Sequence, residues 1–258
     1  MKLNPRQRSQ LDRCYHDAIG SEYDDVIVEP RKTASDLLFS SHDSHLPKSG
    51  RMLDVGCGTG HALCRFCPPP PREFKEIFAI DHSTSMLASA RRNTERAGIR
   101  SIQFIQDDVL DWLEAATQER FDLITCIGFL HHLDDEQIKH VVNRLSQRLT
   151  DDGRLLIADP IESDSDHEPA LLKAWNRRSM IGNTRYSVEA QEPDERPIPP
   201  SLMSMAFEQA NLEVIHHTSC WEIFNRTDQP GWLERLTIRF LYRHGGPGVV
   251  NAWTTTRA

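Results

Sequence analysis

The sequence has little of what a membrane span, a secreted scaffold or a polyanion binder requires. No apolar stretch approaches the ~20 residues that cross a bilayer. The opening "MKLNPRQRSQLDRCYHD" is polar throughout and holds no signal-type apolar run, so a cytoplasmic location is expected and no membrane partner. The six cysteines are scattered at 14, 57, 64, 67, 126 and 220. Only Cys64 and Cys67 make a C-x-x-C pair, and no second pair completes a zinc site. Reduced thiols and no metal are therefore expected. Basic residues are also in deficit, 30 Lys and Arg against 38 Asp and Glu, for a net charge of −8. That sign argues against broad binding to nucleic acid or anionic lipid.

What is present is an ordinary globular composition, 38% hydrophobic and 26% charged over 258 residues, enough for one large domain. Apolar runs alternate with helical periodicity. Strands are expected at 51–55, 76–80, 102–106, 121–127 and 153–159. Between them lie helices starting at "HALCRF" and "VLDWLEAA" and others over 83–97 and 135–149. Ser83 and Asp134 stand where N-caps belong, and Gln137 follows Asp134 at capping-box spacing. After Pro160 the rhythm breaks, and residues 161–200 collect charges and prolines around one helical stretch, 169–180. Helices at 200–210 and 230–243 and strands at 212–224 and 248–257 close the chain. The alternation predicts an α/β fold, a parallel sheet with helices on both faces. One domain covers 1–258: an N-terminal helical cover (1–47), a ligand-binding core (48–160), an inserted cover (161–200) and the C-terminal part of the sheet (201–258).

The densest local signal is "RMLDVGCGTGHAL", with glycines at 56, 58 and 60 directly behind Asp54. In such sheets the ligand crevice lies at the carboxyl ends of the strands, so this turn faces it. A dinucleotide fingerprint needs G-x-G-x-x-G, and position 61 is His.

"LDVGCGTG" resembles instead the first motif of class I S-adenosylmethionine-dependent methyltransferases. The resemblance continues through "FAIDHSTSML", "FIQDDVLDWL", "FDLITCIGFLHHL" and "LTDDGRLLIAD", in the family's order, over residues 50–160. It implies a Rossmann-like, seven-stranded, mostly parallel sheet with an antiparallel last strand and helices on both faces, S-adenosylmethionine as cofactor and S-adenosylhomocysteine as product. It places Gly56, Gly58 and Gly60 against the methionyl and ribose portions and Asp54 near the methionyl amino group, with support of the turn amides as Asp54's other reading. Asp81 then accepts the ribose hydroxyls or serves as a helix-cap acid. His82 belongs to the same loop, and Met86 lies on the adenine face or in the core. Asp108 receives the adenine amino group beside the main chain of Val109, with Asp107 as the alternative reader, and Ile127 lines the pocket.

Methyl transfer from a sulfonium is in-line displacement on an activated carbon, so positioning supplies most of the acceleration. A base is needed only where the acceptor must lose a proton early. His131 and His132, after the fourth strand, are the candidate bases, with packing as their other role. Phe129, Tyr15 and Tyr23 are candidates to cover the sulfonium. The Asn/Asp-Pro-Pro-aromatic stretch of amino-methylating enzymes is absent after the fourth strand, where the chain reads "CIGFLHH". A small-molecule acceptor is therefore expected. A protein or RNA methyltransferase and a non-catalytic S-adenosylmethionine-binding protein are the alternatives. Trp175, Arg177 and Arg178 in the inserted cover either face the acceptor or belong to a surface helix, with Trp175 packed on the domain and the arginines in water.

Overall fold

The computed structural model describes residues 5–29, 32–67, 73–115, 119–161, 197–220 and 250–258. The expected helices at 169–180 and 230–243, and with them Trp175, Arg177 and Arg178, lie outside these residues.

The strands are β1 (Ser49–Val55), β2 (Glu73–Asp81), β3 (Ile102–Gln106), β4 (Phe121–Ile127), β5 (Leu149–Pro160), β6 (Leu212–Cys220) and β7 (Val250–Arg257). They form one sheet in the order β3-β2-β1-β4-β5-β7-β6. Neighbours from β3 to β5 run parallel, while β7 is antiparallel to both β5 and β6. The helices are α1 (Pro5–Ile19), α2 (Lys32–Ser40), α3 (His61–Phe66), α4 (Thr84–Arg96), α5 (Val109–Glu114), α6 (Asp135–Gln147) and α7 (Pro200–Gln209). A single π-helical turn, Asp24–Val28, and two 3-10 turns, Asp43–His45 and Leu130–His132, complete the described elements.

Side chains along each central strand alternate between two apolar layers. Leu53, Phe78, Ile80, Ile124, Leu155 and Ile157 join the layer that contains Leu113 of α5, Val141 of α6 and Leu202 of α7. Met52, Ile77, Ala79, Leu123, Leu156 and Ala158 join the other, with Phe39 of α2, Leu63 of α3 and Leu87 of α4. Covering both faces is what lets these strands read as nearly continuous apolar runs. Strand order reverses between β1 and β4, so the crevice opens above their carboxyl ends.

The caps follow the sequence. Ser83 accepts the amide of Met86 at the start of α4, and Asp134 and Gln137 form a reciprocal capping box on α6. Two strands run longer than their apolar cores: β2 starts at Glu73 and β5 at Leu149. Ladder pairing beside β1 and β4 carries polar ends that period-2 patterning does not mark.

Candidate active site

The turn from β1 to α3 uses positive φ at all three glycines, +64° at Gly56, +51° at Gly58 and +81° at Gly60. At Gly56 the constraint is also steric, because an added Cβ would lie 2.7 Å from the Phe129 ring. At Gly58 the same atom would meet nothing within 4 Å, so the middle of the turn presents bare backbone to open space. That is the form of a cradle for a ligand that approaches the main chain.

Asp54 ends β1 just before this turn and is 1% exposed. Its Oδ1 accepts the Thr125 hydroxyl at 2.6 Å, while Oδ2 is buried with no hydrogen-bond partner. Burial pushes its carboxyl up to about 7, and the charge of Asp81 acts in the same direction against the Thr125 hydrogen bond. A buried acid with one unanswered oxygen fits a cationic donor such as the methionyl ammonium.

Support of the turn falls to Asp81 rather than Asp54. At the end of β2, Asp81 accepts the amide of Gly58 through Oδ2 at 2.9 Å and that of Ser83 through Oδ1 at 2.8 Å. One carboxylate thus ties the β1 turn to the β2 turn, and each oxygen keeps a second lone pair for a hydroxyl.

Asp108 caps α5, its Oδ1 taking the Leu110 amide at 2.9 Å, and its Oδ2 accepts the Ser9 hydroxyl of α1 at 2.5 Å. Val109 is buried beside it, whereas Asp107 is exposed and accepts the Asp108 amide. Met86 is 1% exposed within α4, and Ile127, half-buried, ends β4. The structure therefore gathers Asp54, the glycines, Asp81, His82, Asp108, Val109 and Ile127 at one end of the sheet.

The two adjacent histidines part company. Nδ1 of His131 lies 2.7 Å from Oδ1 of Asp159, an acid at the end of β5 that is fully buried and also accepts the amides of Leu130 and His131. Because a carboxylate only accepts, Nδ1 of His131 carries a proton. Nδ1 of His132 instead lies 3.2 Å from Asp12 of α1.

Helix α1 roofs this end of the sheet. Besides Ser9 on Asp108, Arg8 pairs with Asp134 at 3.0 Å and Asp17 accepts the Ser83 hydroxyl at 2.7 Å. Tyr15 and Tyr23 pack on His16 of the same helix, with centroids 5.1 and 6.2 Å away. Asp12, Ser9 and Asp159 escaped the sequence reading. Asp159 had a signal, an acid ending a strand as Asp54 and Asp81 do; Asp12 and Ser9 had none.

Residues 46–213 match the family described as a methyltransferase domain. The chain belongs to that family. It is a class I S-adenosylmethionine-dependent methyltransferase. Among curated relatives, an uncharacterized methyltransferase of Staphylococcus carnosus is 25% identical over 163 residues, 63% of this chain and 69% of that protein. A ubiquinone biosynthesis O-methyltransferase of Actinobacillus pleuropneumoniae is 34% identical over 88 residues, 33% of this chain and 36% of its own length. Beyond the first, the matched part spans two-fifths or less of several relatives. Among solved structures, the DhpI–SAH complex superposes with a TM-score of 0.66 over 99% of both chains at 16% identity. That likeness is one of fold. Among the described residues no helix of this methyltransferase is long and apolar enough to cross a membrane.

Proposed function

We propose that the methyltransferase acts on a small-molecule acceptor in the cytoplasm, by in-line displacement, with His131 as general base. The observation that carries the reading is the His131–Asp159 pair at the carboxyl end of β4, beside the cofactor turn. S-adenosylmethionine supplies an activated methyl group on a sulfonium. Asp54 would hold its ammonium end, Gly58 would offer main chain, and Asp81 and Asp108 would accept ribose and adenine hydrogen bonds. Asp159 fixes the tautomer in which His131 Nε2 accepts a proton from an acceptor hydroxyl or amine. The imidazolium so formed sits 2.7 Å from a carboxylate that stabilises it.

Two features support a small acceptor. The α1 roof, joined to Asp108, Asp134 and Ser83, narrows the approach to the strand ends. The net charge of −8 opposes a polyanionic partner. Residues 161–200 remain the candidate acceptor cover.

The test is transfer of a radiolabelled methyl group from S-adenosylmethionine into a metabolite extract, run beside protein and RNA extracts. Label in the metabolite fraction, lost in His131→Gln, is the expected result. Label in protein or RNA alone would replace the small acceptor by a macromolecule. Cofactor binding with no label anywhere would mark a non-catalytic binding protein.

A further inference from the structure

Four side chains that no linear motif connects meet beneath α1. Asp12 and His16 come from α1 itself, His82 follows β2, and His132 closes the turn after β4. Asp12 Oδ1 lies 3.3 Å from Nδ1 of His16 and 3.2 Å from Nδ1 of His132, and Asp12 Oδ2 lies 3.1 Å from Nε2 of His82. Single ligand atoms of Asp12, His16 and His82 all fall within 4.8 Å of one another. Yet Oδ1 of Asp12, buried between two imidazoles, makes no hydrogen bond. The nitrogens converge on it at bonding distance without the directions that a hydrogen bond requires.

We propose that Asp12, His16 and His82 form a binding site for a divalent cation of the zinc class, which clamps α1 onto the loop after β2, with His132 held against Asp12 beside it. Two imidazoles and one carboxylate are a donor set suited to zinc and its neighbours rather than to magnesium or calcium, which take oxygen ligands. The spacing agrees. With zinc–ligand bonds of ~2.0–2.1 Å, neighbouring donors of a tetrahedral site stand about 3.3 Å apart. The oxygen–nitrogen separations, 3.3 Å from Oδ1 to His16 and 3.1 Å from Oδ2 to His82, are close to that length. The cluster is also sheltered, the four side chains being 13–20% exposed.

His16 Nδ1 is also 3.0 Å from the main-chain oxygen of Asp12, a contact in which nitrogen must donate. Binding the cation therefore displaces protons from the imidazoles, and affinity should rise with pH. The proposal does not depend on the acceptor or on methyl transfer.

Zinc chloride titrated calorimetrically into the full chain, stripped beforehand with EDTA, tests it. One equivalent should bind, with proton release seen as a dependence of the heat on buffer. Cobalt(II) in place of zinc should give the intense visible absorption of a tetrahedral site. Zinc should also raise the melting temperature and slow proteolysis within α1. Asp12→Asn and His82→Ala should each weaken binding at least about tenfold. His45→Ala, which alters a separate histidine group near β6, should not. His16→Gln, checked by circular dichroism, covers the case in which the first variants misfold. Absence of binding would overturn the proposal. So would binding that survives Asp12→Asn and His82→Ala, or that disappears with His45→Ala.

Discussion

Nδ1 of His131 lies 2.7 Å from Oδ1 of Asp159, and the same carboxylate accepts the amides of Leu130 and His131. The acid thus fixes both the imidazole and the main chain that carries it. If His131 takes the acceptor proton, activity should fall as pH drops far enough to protonate its imidazole. His131→Gln should abolish that limb and lower kcat at neutral pH by ~10²–10⁴-fold. Its effect on cofactor affinity should stay within about threefold, or ~0.7 kcal/mol. Asp159→Asn should lower kcat and move the acid limb. A flat pH–rate profile in the parent enzyme would remove His131 as a base.

Asp81 joins Gly58 to Ser83 through its two oxygens. Asp81→Ala should remove the ribose acceptor and also release the glycine turn. Calorimetry with S-adenosylmethionine and S-adenosylhomocysteine should show ~10–100-fold weaker binding, a loss of ~1.4–2.7 kcal/mol. An unchanged dissociation constant would place the cofactor elsewhere.

The carboxyl of Asp54 is pushed up to about 7 by burial, with the charge of Asp81 adding to the effect. A cationic ammonium requires its ionised form. Cofactor affinity should therefore rise from pH 6 to pH 8 and level off above, with a proton released near neutrality. The sign for folding is the reverse. A carboxyl whose folded pKa lies above its unfolded value near 3.8 favours the folded state at low pH, and the empty chain loses that contribution as pH rises toward 7. Titrations in buffers of different ionisation enthalpy would detect the proton, and Asp54→Asn should remove it.

His42, fully buried with Nδ1 2.7 Å from the Thr254 hydroxyl, behaves oppositely to a carboxylate. Burial, reinforced by His216 and His45, lowers its imidazole to about 4. Its folded pKa is below the unfolded value near 6.5, so the protein is stable with His42 neutral above that pH. Stability should fall as pH drops from about 6.5 toward 4. Urea denaturation across that range should show the slope, and His42→Gln should flatten it.

Gly56 has φ of +64°, and a Cβ added there would lie 2.7 Å from the Phe129 ring. Gly56→Ala should lower the melting temperature and abolish cofactor binding, because the new Cβ would displace Phe129 from the rim. Gly58→Ala has open space, so its melting temperature should fall less. Comparable melting curves for the two variants would contradict this account of the turn.

The central strands, the helices between them, both predicted N-caps and the glycine turn were legible in the sequence because each depends on neighbours close along the chain. Apolar runs bounded by turn residues announce β1 to β5, and three glycines behind an acid announce the crevice. The strand-end and helix-start positions of Asp54, Asp81 and Asp108 were readable for the same reason, whereas their roles toward the cofactor came from the family resemblance. Contacts across long sequence distances were not readable. Nothing local to Asp81 states that it will hold the Gly58 amide, or that His131 will face Asp159 while His132 faces Asp12. Those pairings follow from strand order, which brings β5 beside β4 and lays α1 over their ends. Periodicity and capping fix elements within a few residues of one another. Which acid meets which imidazole is decided only when the sheet assembles and burial removes water as the competing partner.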